Sequence, residues 1–176
     1  MKISILLPYK ENFSPIYPGA VSLFVKDTLT FSKYKNKTTV FGSTELKKKF
    51  KFKYKNIILT KLKILSSSKK YVSQFIKIEK FNKSNLIEIH NRPNYLKDLV
   101  NTLSNRSYVI YFHNDPLTMK GSKTISDRKY LLKNCFRIIF NSNWSKKRFL
   151  EGMVGKFINS EKLMVIYQSA HQPKIN

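Results

Sequence analysis

Leu86-Ile87-Glu88-Ile89-His90-Asn91 and Tyr108-Val109-Ile110-Tyr111-Phe112-His113-Asn114-Asp115-Pro116 are the two stretches that decide the fold. Each is an apolar run of strand length ending in His-Asn, and the segment between them carries a helical pattern. Strand, helix, strand in that order predicts a βαβ unit with neighbouring parallel strands. Ligands of such sheets bind in the crevice at the strands' carboxyl ends. His90 and His113 are therefore both expected on that edge, where packing alone poorly explains a polar residue.

The same alternation continues outward in both directions. Lys2 to Pro8 is a short apolar strand, and Gly19-Ala20 opens a helical pattern through Val21, Phe24, Val25, Thr28 and Phe31. Strands are predicted over Thr38 to Phe41 and Asn56 to Thr60, with a helix after the Ser66-Ser67-Ser68 cap cluster. Pro93 falls in a first helical turn, with Tyr95, Leu96, Leu99, Val100 and Leu103 on one face. A loop over Asn114 to Thr124 precedes a helix through Tyr130 to Leu132 and a strand over Phe136 to Phe140. Ser142 caps a helix that stops at Gly152, and Leu163 to Tyr167 is the last strand. The predicted class is α/β: one doubly wound, mostly parallel, Rossmann-like sheet over 1–168, followed by a polar tail over 169–176.

Composition narrows the function classes. A chain of 176 residues, 41% hydrophobic, suffices for one well-buried domain. No apolar stretch nears the ~20 residues of a membrane span, and the run from Ile3 to Leu7 is broken at Pro8, so a cytoplasmic location is expected. Cys135 is the only cysteine, which removes disulfide frameworks and cysteine zinc sites. The net charge of +24 is built from 29 lysines and only five arginines, a profile of AT-rich codon usage rather than of bidentate phosphate or base recognition. Nucleic acid is accordingly not the expected partner. Against that background the arginines carry information, and Arg92 directly after His90-Asn91 is one of them; Arg128 is another.

One segment is biased. In Lys47 to Lys55, Lys49, Lys51, Lys53 and Lys55 alternate with Phe50, Phe52 and Tyr54, which places aromatics on one face and ammoniums on the other. A solvated edge, attachment to an anionic membrane surface, and base stacking are the three readings this pattern leaves open.

Taken together, Pro18-Gly19-Ala20, Ile89-His90-Asn91-Arg92-Pro93, Phe112-His113-Asn114-Asp115-Pro116, Phe140-Asn141-Ser142-Asn143-Trp144 and Phe149-Leu150-Glu151-Gly152 resemble the amino-terminal half of a GT-B glycosyltransferase. The likeness is greatest to family-four sugar transferases that build bacterial surface glycans such as lipopolysaccharide. It implies an acceptor-binding domain that faces a donor-binding domain across a cleft, with a nucleotide-diphosphate sugar as donor, retention of anomeric configuration and no cofactor or bound metal. Gly19 and Ala20 match the turn that approaches the donor phosphates, although Ala20 and Ser22 depart from the usual second glycine and acidic residue. His113 matches the strand-end histidine near the reacting sugar, and it and its polar neighbour Asp115 are the catalytic candidates, with a plain turn as the competing role for Asp115. His90, Arg92 and Asn114 are the candidates for the glycan or glycolipid acceptor.

The family's donor-binding glutamate pair lies in a second domain with no counterpart in this sequence. The expectation is therefore an acceptor-binding half, inactive until joined by a donor-binding domain or partner chain. Two readings compete with it. A non-catalytic basic module for anionic lipid or nucleic acid would need a lysine stripe with exposed aromatics. A metal hydrolase would rest on His90, His113 and Asp115, whose spacing fits no dedicated metal motif.

Overall fold

A computed structural model describes residues 1–59, 66–155 and 161–168. Seven strands form one sheet: β1 (Ile3–Leu6), β2 (Thr38–Gly42), β3 (Tyr54–Asn56), β4 (Leu86–His90), β5 (Ser107–Phe112), β6 (Arg137–Phe140) and β7 (Leu163–Val165). Their order is β3-β2-β1-β4-β5-β6-β7, and every pair is parallel. The connections are α1 (Ala20–Phe31), α2 (Ser67–Asn82), α3 (Leu96–Thr102), α4 (Ile125–Asn134) and α5 (Asn143–Leu150). The order reverses on either side of β1, which puts the switch point of the sheet between β1 and β4.

The helices are shared unequally between the two faces. Val21, Val25 and Leu29 of α1 pack with Ile3, Ile5, Leu7 and Val40, whereas α2 to α5 pack on Leu6, Phe41, Ile87, Ile89, Ile110 and Phe112. Alternation along the strands produces this division, since successive side chains point to opposite faces. Fully buried residues such as Phe75, Phe112, Phe140 and Phe149 each contribute about 1.5–3 kcal/mol through removal from water.

Local chemistry starts and stops the helices where the sequence predicts. The Ser66 hydroxyl accepts from Lys69 N at 3.4 Å, Thr124 and Asp127 form a reciprocal capping box, and Ser142 accepts from Ser145 N at 3.1 Å. Pro93 to Tyr95 forms a single 3₁₀ turn ahead of α3. Two interior polar groups tie the layers together. The buried Glu79 carboxylate of α2 accepts from Ser4 Oγ at 2.6 Å, Ser84 N at 2.7 Å and Asn82 Nδ2 at 3.1 Å, close to the amino-terminal edge of the sheet. Tyr71 donates to Leu7 O at 3.0 Å and so fixes α2 to the end of β1.

The third strand differs from the predicted Asn56 to Thr60. It begins at Tyr54 and pairs Val40 with Tyr54, Phe41 with Lys55 and Gly42 with Asn56; Thr60 lies outside the described residues. Phe13, from the loop after β1, sets the register: Tyr54 stacks on it at 5.5 Å and Phe50 meets it edge-on at 5.1 Å. The period-two pattern holds, with Phe50, Phe52 and Tyr54 turned to the core and Lys51, Lys53 and Lys55 exposed on the sheet's edge strand and its approach. These aromatics lean on Phe13 and are half-buried. The last strand is also shorter than expected, ending at Val165, and the tail over 169–176 lies outside the described residues.

Candidate functional site at the carboxyl edge

Parallel strands bring their carboxyl ends to one edge, and the polar strand-end residues gather there. Gly19 caps α1 after β1, His90 ends β4, and His113 follows β5. Asn91 joins the last two: at φ 53° it takes the left-handed conformation that asparagine tolerates, and its Oδ1 accepts from His113 N at 2.8 Å. From the next strand, Asn141 Nδ2 donates to His113 O at 2.8 Å. The backbone of His113 is thus held on both sides.

The His113 ring is held as firmly as its backbone. Its Nε2 lies 2.9 Å from His90 Nδ1, its Nδ1 meets the amide nitrogen of Gln168, and Phe24 of α1 packs edge-on at 4.9 Å. Burial, reinforced by the facing His90 ring, pushes the His113 pKa down to about 3 from the ordinary 6.5. A neutral imidazole has one donor and one acceptor nitrogen. His113 Nδ1 faces the Gln168 amide nitrogen, which can only donate, and His113 Nε2 faces His90; this contact set assigns the neutral ring's proton to Nε2. His90 itself is 1% exposed, stacked on Tyr111 at 4.8 Å. Its place is behind His113.

The remaining candidates divide between two surroundings. Arg92 and Asn114 line an open cavity of about 750 Å³ on the α2–α3 face, together with Lys69, Asn91, Tyr95 and Lys120. Lys97 and Asp98 also reach it, so cationic side chains outnumber the single acid. His90 and His113 do not line this cavity. Asp115 is occupied on both oxygens: Oδ1 accepts from Leu117 N at 3.0 Å, capping a 3₁₀ turn, and Oδ2 pairs with Arg148 at 3.1 and 3.2 Å. That arrangement is the turn role weighed for it from the sequence. Arg128 is buried, giving its guanidinium to Phe149 O at 2.6 Å and Glu151 O at 2.8 Å, and so closes the end of α5.

At Gly19 and Ala20 the start of α1 already holds an anion. Glu11 Oε1 accepts from Ser22 N at 2.9 Å, and a Cβ on Gly19 would lie 1.9 Å from the same oxygen. The glycine makes room for a carboxylate at the positive end of the helix. Among the described residues no group of three or more His, Cys, Asp or Glu could hold a metal ion. No helix there is long and apolar enough to cross a membrane.

Sequence reasoning gave no role to Glu11, Glu88, Asn141 or Gln168. Two of them had a signal: Glu88, two residues before His90 in a buried strand, must share its face, and Asn141 directly follows an apolar strand as His113 does.

An all-parallel sheet with this order and this polar edge is a Rossmann-like domain, the fold also found in each half of a GT-B protein. Solved structures that share this fold include GT-B proteins. HepE of Anabaena in complex with UDP-glucose superposes with a TM-score of 0.64 at 16% identity, over 95% of this chain and 44% of that one. A sucrose-phosphate synthase of Thermosynechococcus elongatus gives 0.57 at 11% identity, over 94% and 89%. A UDP-N-acetylglucosamine 2-epimerase gives 0.54 at 9%, over 93% and 47%. At such identities the likeness is one of fold. The chain spans less than half the length of the HepE and epimerase chains. It matches no protein-family profile and no curated protein.

Proposed function

We propose that this chain is the acceptor-binding half of a retaining, nucleotide-sugar-dependent glycosyltransferase acting in bacterial surface glycan synthesis. The observation that carries the reading is the edge geometry: a rigidly held, neutral His113 stands beside Asn91, which also lines the polar cavity of Arg92 and Asn114. The fold shared with HepE, whose structure holds UDP-glucose, supports it. His113 is the residue assigned to the reacting sugar, and Arg92 and Asn114 the ones assigned to the glycan or glycolipid acceptor. Asp115 supports that edge by holding Arg148. Gly19 and Ala20 approach the donor phosphates once Glu11 moves aside.

Transfer on this reading requires a donor-binding half, whether in the same or another polypeptide, because one wall of a cleft cannot enclose the nucleotide or exclude water. The exposed Lys51, Lys53 and Lys55 favour work at the cytoplasmic face of an anionic membrane, where each such charge is worth about 1 kcal/mol.

The test is a product assay with a panel of uridine- and guanosine-diphosphate sugars, with and without a matching donor domain. Background turnover alone and transfer after reconstitution are expected, with His113→Ala lowering kcat by about 100-fold, far more than its loss of thermal stability accounts for. Full turnover by the isolated chain, or an unchanged kcat in His113→Ala, overturns the assignment.

A further inference from the structure

We propose that Glu88 and His90 are positioning residues that hold the His113 proton on Nε2, turning its Nδ1 lone pair outward to accept a hydrogen bond from a hydroxyl of the bound ligand. The inference rests on the reading of His113 as the ligand-facing residue of a sugar-transferring site. The alternation of β4 puts Glu88 and His90 on the face that carries Tyr111 and His113 of the neighbouring strand, with His90 in register with Tyr111. On that face the polar groups form a row. Gln168 gives an amide proton to His113 Nδ1, His113 Nε2 stands 2.9 Å from His90 Nδ1, and His90 Nε2 points on to Glu88 Oε2 at 3.7 Å.

The direction of the row follows from its ends. An amide N–H can only donate, and a carboxylate can only accept. With a donor at the Gln168 end and an acceptor at the Glu88 end, both imidazoles must carry their protons on Nε2. His90 Nε2 is buried and has no hydrogen-bond partner at the distance observed. A buried N–H of this kind is costly unless something receives it. Glu88 and His90 both line a cavity of about 100 Å³ beneath α1, which leaves room for a bridging water or for the small side-chain shift that closes the gap. Stacking on Tyr111 and the edge of Phe24 prevent the rings from turning to another partner.

Gln168 is exposed and lies three residues beyond the end of the last sheet strand, so it is the member of the row that can leave. A ligand hydroxyl that takes its place meets the same lone pair. The row therefore selects a donor at that point, and His113 receives the hydroxyl proton's hydrogen bond rather than giving one.

Two experiments test this, one of them independent of any enzymatic activity. In the 176-residue chain carrying 15N-histidine, a through-hydrogen-bond coupling between His113 Nε2 and His90 Nδ1 and a slowly exchanging proton on His113 Nε2 are expected. Glu88→Leu should speed exchange of that proton about tenfold or more, while Glu88→Gln, which keeps an acceptor, should restore most of the protection. A proton on His113 Nδ1, absence of the coupling in the unaltered chain, or equal exchange in Glu88→Leu overturns the proposal, and the first two outcomes need no variant to fold. In a reconstituted two-domain enzyme, Glu88→Leu should lower kcat about tenfold with an unchanged donor KM, and Glu88→Gln should recover it. Failure of the unaltered two-domain enzyme to transfer sugar would count against the functional reading and leave the coupling measurement standing.

Discussion

Lowering the pH from 7 to 5 should destabilise this protein through His113. Folding buries the ring against His90 and pushes its pKa to about 3, while the unfolded chain restores the ordinary 6.5. Between those values the unfolded state binds a proton that the folded state refuses, so stability falls as the pH falls, by up to about 1.4 kcal/mol per pH unit. The contribution is fully present above pH 6.5 and is lost progressively toward pH 3. Integrated from pH 7 to 5, the loss is about 2 kcal/mol, a large fraction of the stability of a domain this size. Carboxylates with ordinary pKa values near 4 contribute little in that window. Urea unfolding at pH 7, 6 and 5 reads the effect, with His113→Gln as the reference that lacks the titrating ring. The unaltered chain should lose about 2 kcal/mol more than the variant across that range. Parallel pH dependences, or a magnetic-resonance titration in which His113 protonates near 6.5, would falsify the buried-neutral assignment on which its role rests.

Three further outcomes follow from the packing. Glu79→Leu leaves the buried Ser4 and Ser84 donors without their acceptor, Asn82 keeping Ser4 Oγ, and should cost about 3 kcal/mol in chemical denaturation, whereas unchanged stability would show that water reaches the network. Arg128→Lys cannot reach both Phe149 O and Glu151 O and should lower stability by about 1–2 kcal/mol, visible as a reduced Tm, whereas no change in Tm would remove the guanidinium from the closure of α5. Gly19→Ala should expel the Glu11 carboxylate from the start of α1 and cost about 1 kcal/mol, and the loss should vanish in the Glu11→Ala background if that carboxylate is what the methyl meets.

What could be read from the chain alone was whatever depends on neighbours in sequence. The two His-Asn strand ends, the Ser66 and Ser142 caps and the mostly parallel α/β class follow from alternation and capping chemistry, which act over a few residues; the strand order does not. The third strand was misplaced because the continuous apolar run Ile57-Ile58-Leu59 is a stronger local strand signal than the alternating residues 47–55 before it. The choice is made by Phe13, which reaches across from a distant loop to Phe50 and Tyr54. Asp115 illustrates the same limit, since nothing local reveals that Arg148 will approach from 33 positions away. The partners of Gly19 and His113 were hidden for this reason too: Glu11 and Gln168 belong to loops whose paths are set by tertiary packing.

The polar groups of this edge differ in how a ligand must approach them. At the start of α1, at His113 and at Asp115, an internal partner already stands where a ligand atom would go: Glu11 on Ser22 N, Gln168 on His113 Nδ1, Arg148 on Asp115. Exchanging one such partner for another of similar kind changes little in net hydrogen bonding, so these positions select geometry more than they add affinity. The cavity beside them is different. Arg92, Lys97, Asn114 and Lys120 are exposed around it, and a ligand there replaces water rather than protein. On the proposed function, affinity is then concentrated at the cavity and discrimination at the histidine, a division suited to a domain that holds an acceptor while the donor is brought by another.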